Sequence, residues 1–342
     1  MNSNVLLNNL KTPEELLSKF KMKIEEISRQ EGYSGIPSGF EKLDKITSGW
    51  QPSDLIIIAS QTSIGKSAFI ISMIKNISVD FSIPALFFSP EMSSGQIMQR
   101  LISMESGINT EKLRTGKLEK HEWELLSVNT KNLEKAPIFI DDSTITIDQL
   151  CYRSKKLVEE NNVKIIFIDN IHLLLSGNKG NGDISREHEI SIISRRLKAL
   201  AKELEIPIIA ISQLSRAIEY RGSIKRPILS DLRGSGTLEE IADIVSFLYR
   251  PEYDKIEEWD DDEQSPTAGQ AEFIIAKHRN GSIENIRLKF ISNIVKFENL
   301  DDLETTINLT HDDNPFQTKN LSISNEAFGS NINDEDDTDV PF

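Results

Sequence analysis

From about Gly35 to Leu300 the chain alternates between short, wholly apolar runs and stretches whose apolar residues recur every three or four positions. The runs at 55–59, 85–88, 138–140, 165–168, 208–211 and 244–248 lack the polar–apolar alternation of a half-exposed strand. That absence predicts strands buried on both faces. Two later runs, 271–276 and 286–290, flank Asn280-Gly281, a pair that favours a tight hairpin turn. Amphipathic stretches separate the runs. In 187–205, for example, Ile190, Ile193, Leu197, Leu200 and Leu204 form one apolar stripe. Strands joined by helical crossovers make a parallel sheet, so the pattern predicts an α/β fold. It has a mostly parallel central sheet flanked by helices and ends in an antiparallel hairpin. No internal repeat is visible.

Both ends depart from this alternation. Residues 12–29 predict a helix with strong start signals: Thr12 as N-cap, Pro13 at the first helical position and Glu15 three residues after the cap. Leu17, Phe20, Ile24 and Ile27 share one face, which docks either on a neighbouring molecule or back on its own domain. Beyond Leu300 the periodicity fades into Asn, Asp, Ser and Thr, the composition of a disordered tail. The expected organisation is an amino-terminal arm and linker helix over 1–31, a catalytic domain over 32–300, and a disordered acidic tail over 301–342 ending in Pro-Phe.

Composition narrows the class. With 342 residues, 38% of them hydrophobic and 27% charged, the chain has room for one large soluble domain with appendages. Its apolar runs are too short to span a bilayer, and its start lacks the basic and apolar regions of a signal peptide. The single cysteine, Cys151, excludes an internal disulfide framework, and five scattered histidines have no metal-ligand spacing. Together these predict a cytoplasmic protein. The net charge of −15 argues against a nucleic-acid partner only until it is mapped. Residues 301–342 hold eleven acids against one lysine, and residues 252–263 hold eight against one. The remaining body is near neutral, so local basic loops can face a polyanion.

The chemistry begins after the first run. Leu55-Ile56-Ile57-Ile58-Ala59 leads into Ser60-Gln61-Thr62-Ser63-Ile64-Gly65-Lys66-Ser67, a strand, a small-residue loop and Gly-Lys-Ser. This is the frame of a phosphate-binding P-loop, with Ser60 standing where the first glycine is usual. Loop and helix N–H groups cradle phosphates, Lys66 reaches the β- and γ-phosphates, and the Ser67 hydroxyl coordinates Mg²⁺. The run 165–168 ends in Asp169, placed to hold the Mg²⁺ shell at the sheet edge beside that loop. Glu91 follows the run 85–88, read as the strand neighbouring the P-loop strand. Its carboxylate either accepts a proton from attacking water or sits at a helix start for the dipole. Gln213, after the run 208–211, is either a γ-phosphate sensor or an ordinary strand-end polar residue. Lys277 and Arg279 alternate along 274–279, so both project from one face toward a shared anion, such as a phosphate on an adjacent subunit, or toward solvent. Asp231-Leu232-Arg233-Gly234-Ser235-Gly236 is either a phosphate-contacting loop of the kind that tracks single strands or a flexible connection.

Taken together, these blocks resemble the carboxy-terminal helicase domain of the bacterial replicative helicases of the DnaB type, RecA-like hexameric ATPases. The resemblance runs from about Gly35 to Asn299. Besides the motifs above it is carried by Gly35-Ile36-Pro37-Ser38-Gly39-Phe40 with Leu43-Asp44, Phe87-Phe88-Ser89-Pro90-Glu91-Met92, Arg186-Glu187-His188-Glu189-Ile190-Ser191, Ser212-Gln213-Leu214 and Ala276-Lys277-His278-Arg279-Asn280-Gly281. It implies an ATP-dependent DNA helicase that forms a ring, translocates 5′ to 3′ on single-stranded DNA and unwinds forked duplex with ATP and Mg²⁺. Glu91 would activate water, Asp169 would support the metal, and Gln213 would couple nucleotide state to the DNA loops. Lys277 and Arg279 would reach the γ-phosphate bound by the neighbouring protomer, Arg279 as the arginine finger. Arg233, Gly234 and Gly236 would hold DNA phosphates, and the helix at 12–29 would dock on the next subunit.

Three departures stand against the resemblance. It does not include the family's amino-terminal domain, Gly234 replaces a common Glu, and Asn170 and His172 replace the commoner Tyr and Gln. Two rival readings are a DNA-dependent ATPase of recombination with the same fold and a non-unwinding paralogue that plugs into a full-length ring. The acidic end Asp334-Glu335-Asp336-Asp337-Thr338-Asp339-Val340-Pro341-Phe342, preceded by Asp312-Asp313-Asn314-Pro315-Phe316, is similar to the tip of single-stranded-DNA-binding proteins. It is either a recruitment signal for a primase, loader or other replisome protein, or a solubilising tail.

Overall fold

Each of the eight apolar runs becomes a strand, and they join one nine-stranded sheet. The computed structural model describes residues 12–29, 32–177, 185–222, 225–232, 235–261 and 264–300. In chain order the elements are α1 (Pro13–Arg29), α2 (Glu41–Thr47), β1 (Leu55–Ser60), α3 (Lys66–Lys75), β2 (Ala85–Phe88), α4 (Ser94–Ser106), α5 (Thr110–Thr115), α6 (Lys120–Asn129) and α7 (Lys131–Lys135). They continue as β3 (Ile138–Asp141), α8 (Ile147–Asn161), β4 (Ile165–Ile168), α9 (Arg186–Leu204), β5 (Ile208–Gln213), α10 (Ser235–Ile241), β6 (Ile244–Tyr249), β7 (Gln270–His278), β8 (Asn285–Ile291) and β9 (Lys296–Asn299).

The strand order is β3-β2-β4-β5-β1-β6-β7-β8-β9, parallel through β6 and antiparallel beyond. All six residues of β1 are buried because alternate side chains feed two cores. Ile56 and Ile58 face the core built around α3, while Leu55, Ile57 and Ala59 face the one built on α8 and α9. Phe69 of α3 is the hub of the first. It stacks on Phe40 at 5.0 Å and Phe273 at 5.1 Å, and meets Phe297 edge-on at 5.5 Å. Burying such a ring stabilises the fold by about 1.5–3 kcal/mol.

Three expectations need correcting. β2, which precedes Glu91, does not neighbour the P-loop strand: β4 and β5 stand between it and β1. The terminal hairpin gains a third strand, β9, whose four residues show too little alternation to be noticed. Asn280-Gly281 is not a two-residue turn but part of the longer connection 279–284.

The amino-terminal helix caps itself as expected. Glu15 N–H donates to Thr12 Oγ1 at 3.3 Å, and Thr12 N–H donates to Glu15 Oε2 at 3.0 Å. Its stripe stays open: Leu17, Phe20, Ile24 and Ile27 are all exposed, and an exposed Lys19–Glu205 pair at 3.2 Å touches the rest of the chain. The Gly35–Phe40 block with Asp44 proves structural. Asp44 is buried and accepts N–H bonds from Ser38 at 2.7 Å and Gly39 at 3.0 Å, which fixes the path of the chain into the domain. Among the described residues no helix is long and apolar enough to cross a membrane. The tail beyond Leu300 lies outside the described residues.

Candidate active site

The register of the parallel strands assembles the site. Ser60, the last residue of β1, pairs with Gln213, the last of β5, and Phe88 of β2 pairs with Ile168 of β4. The P-loop, Gln213, Asp169 and Glu91 therefore leave the sheet at the same end. They line one cleft of about 520 Å³, as do Arg100, Asn170, Arg250, Tyr253 and Phe290.

The loop from Ser60 to Ser67 turns back onto the start of α3. Gly65, its N-cap, takes φ 113°, a conformation that an L side chain rarely adopts. The ordinary first-turn N–H groups of α3 are thus presented to the cleft, where an anion satisfies them. Lys66 Nζ donates to Gln61 O at 2.7 Å, Ser60 O at 3.1 Å and Ser60 Oγ at 3.3 Å. Burial pushes its pKa down to about 8, against the opposing pull of the Asp169 and Glu91 charges. Serine at the unusual first loop position has become a direct partner of the lysine.

Asp169 is almost wholly buried. Burial raises its pKa, while a hydrogen bond from Ser67 lowers it. Its Oδ2 is buried without a hydrogen-bond partner. A bare carboxylate oxygen beside a serine hydroxyl is the donor set of a hard divalent cation, so Ser67 and Asp169 fit Mg²⁺. Glu91 is exposed on the loop after β2, and its Oε2 accepts a 3.3 Å hydrogen bond from Asn170 Nδ2. It reaches the cleft through that loop rather than from an adjacent strand.

Two cations of the cleft escape the sequence reading. Arg100 of α4 is half-buried with its pKa lowered by burial, and the charges of Asp169 and Glu91 oppose that shift. Its only signal is a cation between Ile97 and Leu101, inside an otherwise apolar stripe. Arg250, directly after the apolar β6, is buried, with Nη1 donating to Ile64 O at 3.4 Å and Nη2 bound to Glu252. Its guanidinium lies 3.9 Å from the Phe290 ring centre and 4.7 Å from that of Tyr253. Cation and aromatic faces together make a surface on which a planar ring can stack.

Lys277 and Arg279 do share a face, but they do not line this cleft. His278 pairs with Ile244, the first residue of β6, so both cations sit at the opposite end of the sheet from the P-loop. Six-residue strands separate the two ends by about 20 Å. Lys277 Nζ donates to Ala242 O at 2.9 Å and to Glu239 O, while Arg279 donates to Glu240 O and lies 3.4 Å from Asp243 Oδ1. They thus satisfy the last carbonyls of α10.

Of the expected DNA-contacting residues, Arg233 and Gly234 lie outside the described residues. Gly236 falls in the first turn of α10, with open space where a Cβ would be. The segment before them is tied to the cleft: Leu214, directly after Gln213, bridges to Leu232, and Ser215 N–H donates to Asp231 O at 2.7 Å.

Comparison with known proteins agrees with this geometry. The DnaB-like helicase C terminal domain family matches residues 35–299. The replicative DNA helicase DnaB of Geobacillus stearothermophilus is 41% identical over 280 residues, 81% of this chain and 60% of that protein. The replicative DNA helicase DnaB of Buchnera aphidicola subsp. Baizongia pistaciae is 44% identical over 299 residues, 84% of this chain and 61% of that protein. The chain therefore spans about three-fifths of the length of these relatives. Among solved structures, one described as an ATPase domain superposes with a TM-score of 0.77 at 34% identity, covering 86% of this chain and all of that one. A DnaB-like replicative helicase, described with its interactions with primase, gives a TM-score of 0.73 at 34% identity over 86% of this chain and 68% of that one. Sequence, fold and cleft agree: the chain belongs to the DnaB-like helicase C-terminal domain family.

Proposed function

We propose that this chain is the ATPase motor of a replicative DNA helicase, working as a homo-oligomeric ring on single-stranded DNA. The observation that carries the reading is the division of the catalytic set between the two ends of one sheet. Lys66, Ser67, Glu91, Asp169 and Gln213 open into one cleft, while Lys277 and Arg279 stand at the far edge. A hydrolysis site needing both sets is complete only where two subunits meet.

In such a site the loop N–H groups and Lys66 bind the β- and γ-phosphates of ATP, and Ser67 and Asp169 hold Mg²⁺. The cation, when bound, neutralises charge that develops on the phosphate oxygens. Glu91 takes the proton of the attacking water. Arg100 adds a cation on the same side, and Arg250, Tyr253 and Phe290 form the wall for the base. Arg279 and Lys277 of the adjacent subunit approach the γ-phosphate, as an arginine finger does. Gln213 relays nucleotide state through Leu214 and Leu232 to Arg233, Gly234 and Gly236, which grip DNA phosphates without reading bases. The exposed stripe of α1 docks on the next subunit. Travel is 5′ to 3′, the setting is cytoplasmic, and the acidic Pro-Phe tail over 301–342 recruits a primase, loader or other replisome protein.

The test is steady-state ATP hydrolysis with and without single-stranded DNA, with Glu91→Ala as the blank. The expected result is a several-fold rise with DNA that the variant abolishes. A flat rate equal to the blank overturns the reading in favour of an accessory subunit without its own turnover.

A further inference from the structure

Glu91 has the task of a base but the setting of a loop residue. It is exposed, and it follows β2 without belonging to a helix or strand. A catalytic carboxylate must be held within a few tenths of an ångström of its productive place, so something rigid must orient it. The structure offers Asn170, the residue directly after Asp169.

Asn170 is 2% exposed and anchored from both sides. Its Oδ1 accepts His172 N–H at 2.9 Å, capping the short turn Ile171–Leu173. A backbone N–H must meet an oxygen, so this bond fixes which way the amide faces. Nδ2 is left to donate to Glu91 Oε2 at 3.3 Å. His172 is itself pinned. Its Nε2 lies 2.9 Å from Oγ of the fully buried Ser212, next to Gln213, and its carbonyl accepts from Arg186. The exposed carboxylate is thereby tied to β5, the strand that ends in the proposed γ-phosphate sensor.

We propose that Asn170 is a positioning residue for Glu91, holding the base through its amide N–H while its oxygen caps the turn that follows Asp169. The inference rests on the reading of Glu91 as the base.

Asn170→Ser separates the two jobs. A serine oxygen still caps the turn, but the shorter side chain does not reach Glu91. The full chain, assembled on single-stranded DNA, is assayed for kcat, KM for ATP, binding of a fluorescent ATP analogue and melting temperature. The expected result is about a tenfold fall in kcat, with KM, analogue binding and melting temperature within about twofold or a degree or two of the parent. Asn170→Ala should lose kcat by the same factor and melt lower as well. Adding Asn170→Ser to Glu91→Gln should cost nothing further, since the group it orients is gone. Parent-like kcat in Asn170→Ser, or a loss that appears only in KM, binding or melting, overturns the proposal. A Glu91→Gln variant with parent-like kcat overturns the reading of the base instead, and the two failures are told apart.

Discussion

The two ends of the parallel sheet handle charge in opposite ways. At the cleft end, Lys66 rests on loop carbonyls, Asp169 keeps a buried oxygen without a partner, and Arg100 faces carboxylates across the cavity. At the far end the charges are satisfied. Asp243 accepts Leu55 N–H at 2.8 Å, pairs with Lys198, and lies 3.4 Å from Arg279, while Lys277 rests on the carboxyl end of α10. A carboxylate oxygen left short of a partner, as on Asp169, is poised for a ligand that arrives with its own charge. In the proposed ring, groups held by backbone carbonyls and one carboxylate would be stored, to exchange those partners when a neighbour presents a better anion. On the proposed function, one sheet thus carries a receiving edge and a donating edge.

The sharpest way to break this comparison is to disable each edge in a different subunit. Lys66→Ala and Arg279→Ala should each lower ATP hydrolysis more than about a hundredfold, as losses of transition-state cations do. Mixed, they should regain part of the activity, because an intact cleft then meets an intact finger. No recovery between subunits shown to exchange would place both edges in one self-contained site.

A smaller effect tests the storage itself. Asp243→Asn keeps an oxygen for Leu55 N–H but removes the charge that seats Arg279. Hydrolysis by the pure variant should fall about tenfold, and mixing with Lys66→Ala should restore it, because the defect sits on the donating edge. If mixing fails and ATP affinity drops, Asp243 acts on its own β1 and cleft, through Lys198 and the strand.

How much of this is legible in the sequence differs between the edges for a physical reason. Buried parallel strands write themselves as apolar runs, and a P-loop packs its chemistry into contiguous residues, so β1 through Ser67 can be read directly. Strand order is not local. Crossovers place β4 and β5 between β1 and β2, and the run before Glu91 carries no trace of that. Asn170 meets Glu91 across 79 positions, and Arg100 and Arg250 reach the cleft only once α4 has packed and β6 and β8 have joined the sheet. Lys277 and Arg279 can be seen to share a face, but their place at the opposite sheet end follows from pairing with β6. Gly236 reads as part of a loop, yet it lies in the first turn of α10, because a glycine beside Ser looks the same in either setting.

The smallest effect concerns the cost of the donating edge. Asp54, buried at the start of β1, has its pKa pushed up to about 6, chiefly by burial and then by the Asp243 charge, against Lys198 and Arg279. A carboxyl whose folded pKa lies above its unfolded value favours the protonated folded state. Stability therefore falls as pH rises through roughly 4 to 6 and stays reduced above that window. Asp54→Asn removes the ionisable group while keeping the shape, so it should stabilise the protein by about 1–2 kcal/mol at about pH 8, with the gain vanishing near pH 4. Denaturant melts of both proteins at the two pH values measure it. A gain equal at both would mean that folding leaves the Asp54 pKa where it is in the unfolded chain, and that neither its burial nor the Asp243 charge penalises its ionised form.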